Sequence, residues 1–490
     1  MPEWFKIKKY PHVGTPPLCC EYSKLIRTIK NPDFVKHHAF LPLVRRSVWV
    51  HKNKVDKETG KKKWKQRNLT YASHIDALIY SYYAFLLQKK YNERIARSGL
   101  HNVSVAYRKI KCDNEKGNKC NIHFALDAFT FVGEKIKQEN ELAFMTFDIT
   151  GFFDNLDHKL VKSSWAEVLG YSQLPDDVYA VFKNVTKYSF VKEGALFSLF
   201  KNKILCKTPL GVKEKKITSR QFLKEHNAIA YCHKSDIKKI CRHKLIEREQ
   251  DCEKNLMHKG IPQGLPISAV IANVYMLDFD MEVNKLVTER GGLYKRYSDD
   301  IVVVCKYSDK DGLKKIIKNE INKLNLEIQD SKTNTHKISK KLSGKINCEY
   351  VPKPDDGDEC KDKPIEYLGF SYDGSRILLK SAGLCKYYSK LRRDVARHRH
   401  WALHIQNKTK GNVFVNQIVK RFTLAGSKTL RKKNGHGKII KTYGNYLTYV
   451  KKASMIMKQP QILGQLGKNL SKVNFAISKL QDDVNPKMRE

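Results

Sequence analysis

Short runs of apolar residues, broken by polar and turn-forming positions, dominate the middle of the chain and predict a small sheet with helices on one face. The run over 142–148 reads as a strand that ends in an acid, Asp148. A helix follows over 156–168, then a helix over 268–287. Two strands over 293–297 and 301–306 form a hairpin, a helix covers 312–324, and a short strand covers 326–329. With the segment from about Gly170 to Lys259 set aside as an insertion, this order is a split βαβ pattern and an α+β fold. The insertion is inferred because Asp148 and Gln263 stand 115 positions apart, more than such a unit needs.

Candidate chemistry sits at the ends of these elements. Asp299 and Asp300 lie between the two hairpin strands, where adjacent carboxylates repel unless a cation or hydrogen bonds compensate them. An isolated Asp-Asp turn would read as solvated, and Asp148 alone as a residue flanking or capping the helix that follows. Together the acids are the oxygen-rich set that two Mg²⁺ ions, about 3.5–4 Å apart, use for in-line phosphoryl transfer. The segment 260–268, with Gly260, Pro262, Gln263, Gly264 and Pro266, is an irregular loop whose glycines let backbone approach a substrate closely.

The acid-ending strand, the Pro262-Gln263-Gly264 loop and the Tyr297-Ser298-Asp299-Asp300 hairpin, in this order, resemble the reverse transcriptases. The resemblance covers residues 60–375 well and the tail poorly. It implies a right-hand polymerase with fingers, a ferredoxin-like palm and a helical thumb. Asp148 and Asp299 would ligate two Mg²⁺ ions with the Ile149 carbonyl, and Asp300 would be the second hairpin acid. Gln263 would face the templating pair, and Lys332, in an element similar to the family's Lys-Thr segment, would lie near the incoming triphosphate. Lys65, Arg67 and Arg108 look like cations of fingers strands facing phosphates. Residues 365–370 are similar to a primer-grip strand. Phe153 matches the family's steric gate against a 2′-hydroxyl and so implies selection for dNTPs. The alternative reading makes Phe152 and Phe153 both core aromatics. Ser298 in the hairpin and Ala269 after Ser268 resemble abortive-infection and other defence-associated bacterial enzymes more than group II intron enzymes. The function implied is RNA-directed DNA synthesis on a structured non-coding RNA in antiphage defence. The alternatives are an intron or retron enzyme, or an RNA-binding scaffold with a silent site.

Composition points to a polynucleotide independently of any motif. The 490 residues carry 93 Lys and Arg against 50 Asp and Glu, a net charge of +43. Counter-ion release from a phosphate backbone is what such an excess exploits, whereas a solvated surface of this charge repels itself. The domains expected are fingers with an N-terminal extension (1–115), palm with the 170–259 insertion (116–374), and a basic helical thumb (375–490). The thumb's run over 390–401 would grip a template-primer backbone or stand as a solvated helix face. The acidic loop over 353–362 reads as solvated. Tyr443, Tyr446 and Tyr449 are spaced as a packed stripe, the alternative being a hydroxyl that primes synthesis. Twelve cysteines without framework spacing read as mostly buried thiols; Cys232, His233, Cys241, His243, Cys252 and His258 are the set that could instead hold zinc. No acidic constellation in the tail suggests an RNase H domain. No apolar stretch reaches the roughly 18 residues needed to cross a bilayer. The expectation is a cytoplasmic enzyme, open to homo-oligomerisation, whose partners are RNA template, dNTPs and DNA product.

Overall fold

The computed structural model describes residues 1–55, 62–112, 117–249, 257–353, 363–404, 411, 413–427, 431–433, 439–442 and 444–485. It divides into two compact units. The first comprises Met1–Arg108, Phe147–Val302 and Asp311–Thr333, and the second Lys109–Thr146, Val303–Lys310 and Asn334–Glu490. Both mix helices with sheets whose printed pairings are mostly antiparallel, an α+β architecture.

In the first unit a long antiparallel hairpin joins Leu43–Val55 to Lys62–Tyr71, with Val44 opposite Tyr71 and Trp49 opposite Gln66. The segment read as an insertion supplies the other strands of its sheet. Ser189–Lys192 pairs in parallel with Leu43, Val44 and Arg45, and Glu247–Arg248 pairs with Ser189 and Phe190. A second four-stranded sheet repeats this arrangement: N-terminal His12–Val13 lies beside Ala228–Cys232, followed by Ile204–Thr208 and Gly211–Lys215. One apolar core, with Val13, Val44, Val191, Phe197, Ile204 and Tyr231, fuses the insertion to the N-terminal strands. Inside it lies buried Glu193, which accepts from the hydroxyls of Tyr71 and Tyr231 (both 3.1 Å) and from Arg220 (3.2 Å). A buried carboxylate is tolerable when it is hydrogen-bonded and paired in this way.

The predicted helix over 268–287 is two helices, Ser268–Tyr275 and Leu277–Glu289, divided at Met276, whose φ of −91° and ψ of 4° leave the helical region. Both remain apolar on their buried faces, so periodicity alone does not reveal the break. The strand expected over 326–329 is only a bridge between Ile328 and Ile149. Residues 105–109, expected as a strand, form a turn with Tyr107 at a φ of +61°.

In the second unit Glu141–Thr146 pairs antiparallel with Asn334–Ser339, which pairs with Ile346–Tyr350. Ile365–Tyr367, the expected primer-grip strand, opens a three-stranded sheet with Phe370–Tyr372 and Ile377–Leu379. The tail is helical: Ser381–His404, Val415–Phe422, Tyr446–Ile456 and Asn469–Val484 pack together, with the Tyr387 hydroxyl donating to the Phe422 carbonyl (3.0 Å). Tyr446 and Tyr449 are half-buried; Tyr446 lies against Tyr387 (4.9 Å between ring centres) and Tyr449 receives a hydrogen bond from Asn121 (2.9 Å). Burial pushes the Tyr446 phenol up to about 12, which suits packing better than nucleophilic priming. Tyr443 and most of the 353–362 loop lie outside the described residues.

Candidate active site

Asp148 ends its strand half-exposed, and backbone hydrogen bonds hold it on both sides. Its carbonyl accepts from the Gln329 amide (2.8 Å), and the next amide, Ile149, donates to the Asp299 carbonyl (3.3 Å). The two acids therefore lie one residue apart across a main-chain bond. Asp148 does not cap the following helix. Asp157 does, accepting from the Lys159 and Leu160 amides (2.8 and 3.0 Å).

A buried cation anchors the hairpin that carries Asp299. Arg296, fully buried, donates twice to Asp280 (2.7 and 2.6 Å), to the Ser298 carbonyl (3.0 Å) and to the Ser104 hydroxyl (3.0 Å). Burial opposes its charge, but Asp280 more than offsets that, so the guanidinium titrates above its usual range and stays charged. Ser298 takes a φ of +62° at the turn, and its hydroxyl shares a hydrogen bond with that of Tyr107 (3.2 Å). Asp300 opens the second strand, exposed.

The glycine-rich loop docks between two neighbours. Gly260 and Ile261 donate to the Leu156 and Phe153 carbonyls (both 2.8 Å), and Thr70 donates through its amide (2.8 Å) and hydroxyl (3.1 Å) to the Gln263 carbonyl. Gly264 has a φ of +116°, and a Cβ there would lie 2.4 Å from the Thr70 carbonyl oxygen, so only glycine fits. The His158 ring lies 2.8 Å from the Gly260 carbonyl; burial pushes its pKa below the usual value, favouring a neutral ring that donates to this carbonyl.

A cavity of about 550 Å³ opens among these segments. Asp148, Ile149, Asp299, Phe153, Gln263, Lys65, Arg67 and Lys332, all singled out in the sequence, line it. Phe152 is buried and Phe153 half-buried. Lys332 places its ammonium 2.6 Å from Asp148 Oδ1. Asp300 and Arg108 do not line the cavity. Arg108 is instead committed to the Asn92 side chain (3.1 Å) and to the His101 and Ser104 carbonyls (both 2.7 Å), because residues 105–109 turn back on themselves rather than running as a strand.

Sequence reasoning passed over the cations Arg45, Lys187 and Lys259, which also line the cavity. Arg45 sits over the Phe190 ring (3.3 Å to its centre), hydrogen-bonds Tyr188 (3.2 Å) and pairs with Glu249. Burial pushes the Tyr188 phenol up to about 12, so it remains protonated. For Lys187 and Lys259 the clue was the basic character of the insertion, but which of its lysines return to the site depends on long-range pairing. Among the described residues, no three His, Cys, Asp or Glu side chains converge as a metal group. Cys252 of the zinc alternative lies outside the described residues, and Cys232 is buried in a strand.

Residues 213–372 match the family described as "Reverse transcriptase (RNA-dependent DNA polymerase)". The match includes Gln263, Asp299, Asp300 and Lys332. That stretch, about a third of the chain, is thus similar to a reverse transcriptase domain and lies within an α+β architecture. No curated protein sequence matches it. Among solved structures, apo telomerase from Candida tropicalis truncated of its C-terminal domain is similar with a TM-score of 0.39 and 13% identity, over 69% of this chain and 55% of that one. Telomerase from Candida albicans in complex with a TWJ fragment of telomeric RNA is similar with a TM-score of 0.37 and 11% identity, over 96% and 65%. The chain therefore spans between about half and two thirds of the length of these two structures.

Proposed function

We propose that the chain polymerises dNTPs into DNA on an RNA template by in-line phosphoryl transfer, working with a structured non-coding RNA in antiphage defence. The observation that carries the polymerase reading is the main-chain link between Asp148 and Asp299 at the mouth of a cation-lined cavity of about 550 Å³. Two carboxylates and the neighbouring Ile149 carbonyl are hard oxygen donors, the set that suits Mg²⁺, and an ammonium already pairs with Asp148. Asp148, Asp299 and Ile149 would hold two Mg²⁺ ions, with Asp300 beside them; bound there, the ions supply a more nucleophilic primer hydroxyl and charge neutralisation at the pyrophosphate.

The chain's own groups do the positioning. Lys332, Lys65 and Arg67 present positive charge to a triphosphate, and Lys332 would exchange its pairing with Asp148 for one with phosphate. Phe153, half-buried and lining the cavity, would lie beneath the sugar and exclude a 2′-hydroxyl. Gln263, fixed through its carbonyl by Thr70, faces the base pair. Contacts of this kind would hold the reacting atoms in register, which lowers the barrier by removing translational and rotational freedom in advance.

The defence reading is supported by the Ser298 hairpin and by Ala269 after the loop, and the RNA partner by the +43 charge. Among the described residues no helix is long and apolar enough to cross a membrane. The test is labelled dNTP incorporation by protein purified with its bound RNA, with and without prior RNase. Incorporation that RNase abolishes, with a product whose sequence complements the bound RNA, supports the reading. A product unaffected by RNase contradicts it. Loss of phage protection in cells carrying Asp299→Ala supports the defence assignment, and unchanged protection removes it.

A further inference from the structure

Residues 103–105 run beside the first strand of the catalytic hairpin, Leu293–Tyr297: the Val105 amide donates to the Arg296 carbonyl (3.0 Å) and the Arg296 amide to the Val103 carbonyl (2.9 Å). The chain is then held at two more points. The side chain of buried Asn273 donates to the Ala106 carbonyl (3.0 Å), and Arg108 is committed to Asn92, His101 and Ser104. Between these anchors Tyr107 takes a φ of +61°, and among the described residues it is the only aromatic one in the left-handed region. That region crowds Cβ, so a bulky side chain there is costly and persists only where its surroundings impose it.

Burial does not offset this cost. Tyr107 is 51% exposed, and among the described residues no aromatic ring or cation stacks on it. Its ring instead forms part of the wall of the catalytic cavity. Its hydroxyl shares a hydrogen bond (3.2 Å) with that of Ser298, the buried residue before Asp299, which ties the ring beside the acid. Strained residues gather where a ligand must be met, and the rest of the cavity says which ligand. Phe153, Gln263, Lys65, Arg67 and Lys332, the groups assigned to the incoming dNTP, come from other segments. The hydroxyl that attacks the dNTP must reach the metal site at Asp299 to be activated, so the nucleotide bearing it lies against the neighbours of Asp299.

We propose that the Tyr107 ring packs against the terminal nucleotide of the strand being extended and holds its 3′-hydroxyl toward Asp299. The proposal rests on the polymerase reading above and adds how the strand end is held. An aromatic face suits this task because every nucleotide, whatever its base, has a face to stack, and the contact must serve each new end in turn.

The experiment uses full-length protein and, as the probe, a labelled DNA primer annealed to an RNA template, with fluorescence anisotropy for affinity and steady-state incorporation for KM. Tyr107→Ala is expected to weaken primer–template affinity and raise the KM for primer–template by roughly 5-fold or more, the lower end for losing one stacked base, with the KM for dNTP changed by no more than about twofold. Tyr107→Phe keeps the ring and should retain most of the affinity. Tyr107→Gly also lacks the ring but relieves the left-handed φ, so it should bind as weakly as Tyr107→Ala while melting at a higher temperature, which separates the contact from the fold. Wild-type affinity in Tyr107→Ala, an equal loss in Tyr107→Phe, or a rise confined to the KM for dNTP overturns the proposal. Repeating the anisotropy in an Asp299→Ala background, where no turnover is needed, distinguishes failure of this contact from failure of polymerisation.

Discussion

Replacing Arg296 with Met tests whether the catalytic hairpin is held from beneath by a buried ion pair. Met nearly fills the volume but removes both hydrogen bonds to Asp280 and those to the Ser298 carbonyl and Ser104 hydroxyl. Asp280, itself fully buried, would keep only the Tyr294 hydroxyl at 2.7 Å. Leaving one member of a buried pair uncompensated costs about 3–5 kcal/mol, which for a unit of this size is a fall in Tm of roughly 6–10 °C. The paired variant Arg296→Met, Asp280→Leu removes both charges and should recover most of that loss. Activity separates the two roles of Arg296. The double variant is expected to stay well below wild type in incorporation even when stability returns, because nothing then fixes the Ser298 carbonyl and the turn bearing Asp299. Differential scanning fluorimetry and dNTP incorporation on the same preparations measure both. A fall below about 2 °C for Arg296→Met would refute the energetic reasoning. Full activity in the double variant would refute the positioning role.

Two further outcomes follow from the site. Phe153→Val should lower discrimination against ribonucleotides by roughly tenfold or more, measured as the ratio of kcat/KM for dNTP and rNTP; an unchanged ratio would return Phe153 to the core. Gly264→Ala puts a Cβ where the Thr70 carbonyl lies and must shift the loop carrying Gln263. A displacement near 1 Å is worth about 100-fold in rate, so steady-state incorporation should fall by that order while far-UV circular dichroism is retained, and wild-type turnover would contradict the docking.

Much of the site was legible in the chain because its parts are local. The apolar run into Asp148, the turn acids and the Gly-Pro loop each announce themselves within ten residues, and backbone bonds then bring them together. Phe153 was singled out over Phe152 by its position in the motif rather than by residue type, and the short helical turn Phe152–Asp154 buries Phe152 and leaves Phe153 half-buried. What stayed hidden depends on distant partners. Nothing within 170–259 signals that Ser189–Lys192 will lie in parallel beside Leu43, or that Ala228–Cys232 will take His12–Val13 as a neighbour. Those pairings turn an apparent insertion into part of the N-terminal sheets and bring Lys187 and Lys259 to the cavity. Arg108 misled for the complementary reason: its neighbours resemble a strand, but Tyr107 takes a left-handed φ and the chain turns.

Labelled dNTP incorporation by protein purified with its RNA, beside an Asp299→Ala, Asp300→Ala variant carrying the same RNA, tests the central claim most directly. Incorporation is expected from the wild type, with a loss of at least about a thousandfold in the variant, since oxygen ligands at the reacting centre supply several kcal/mol of charge stabilisation. Equal incorporation by both proteins, or none by either with RNA still bound, would contradict it.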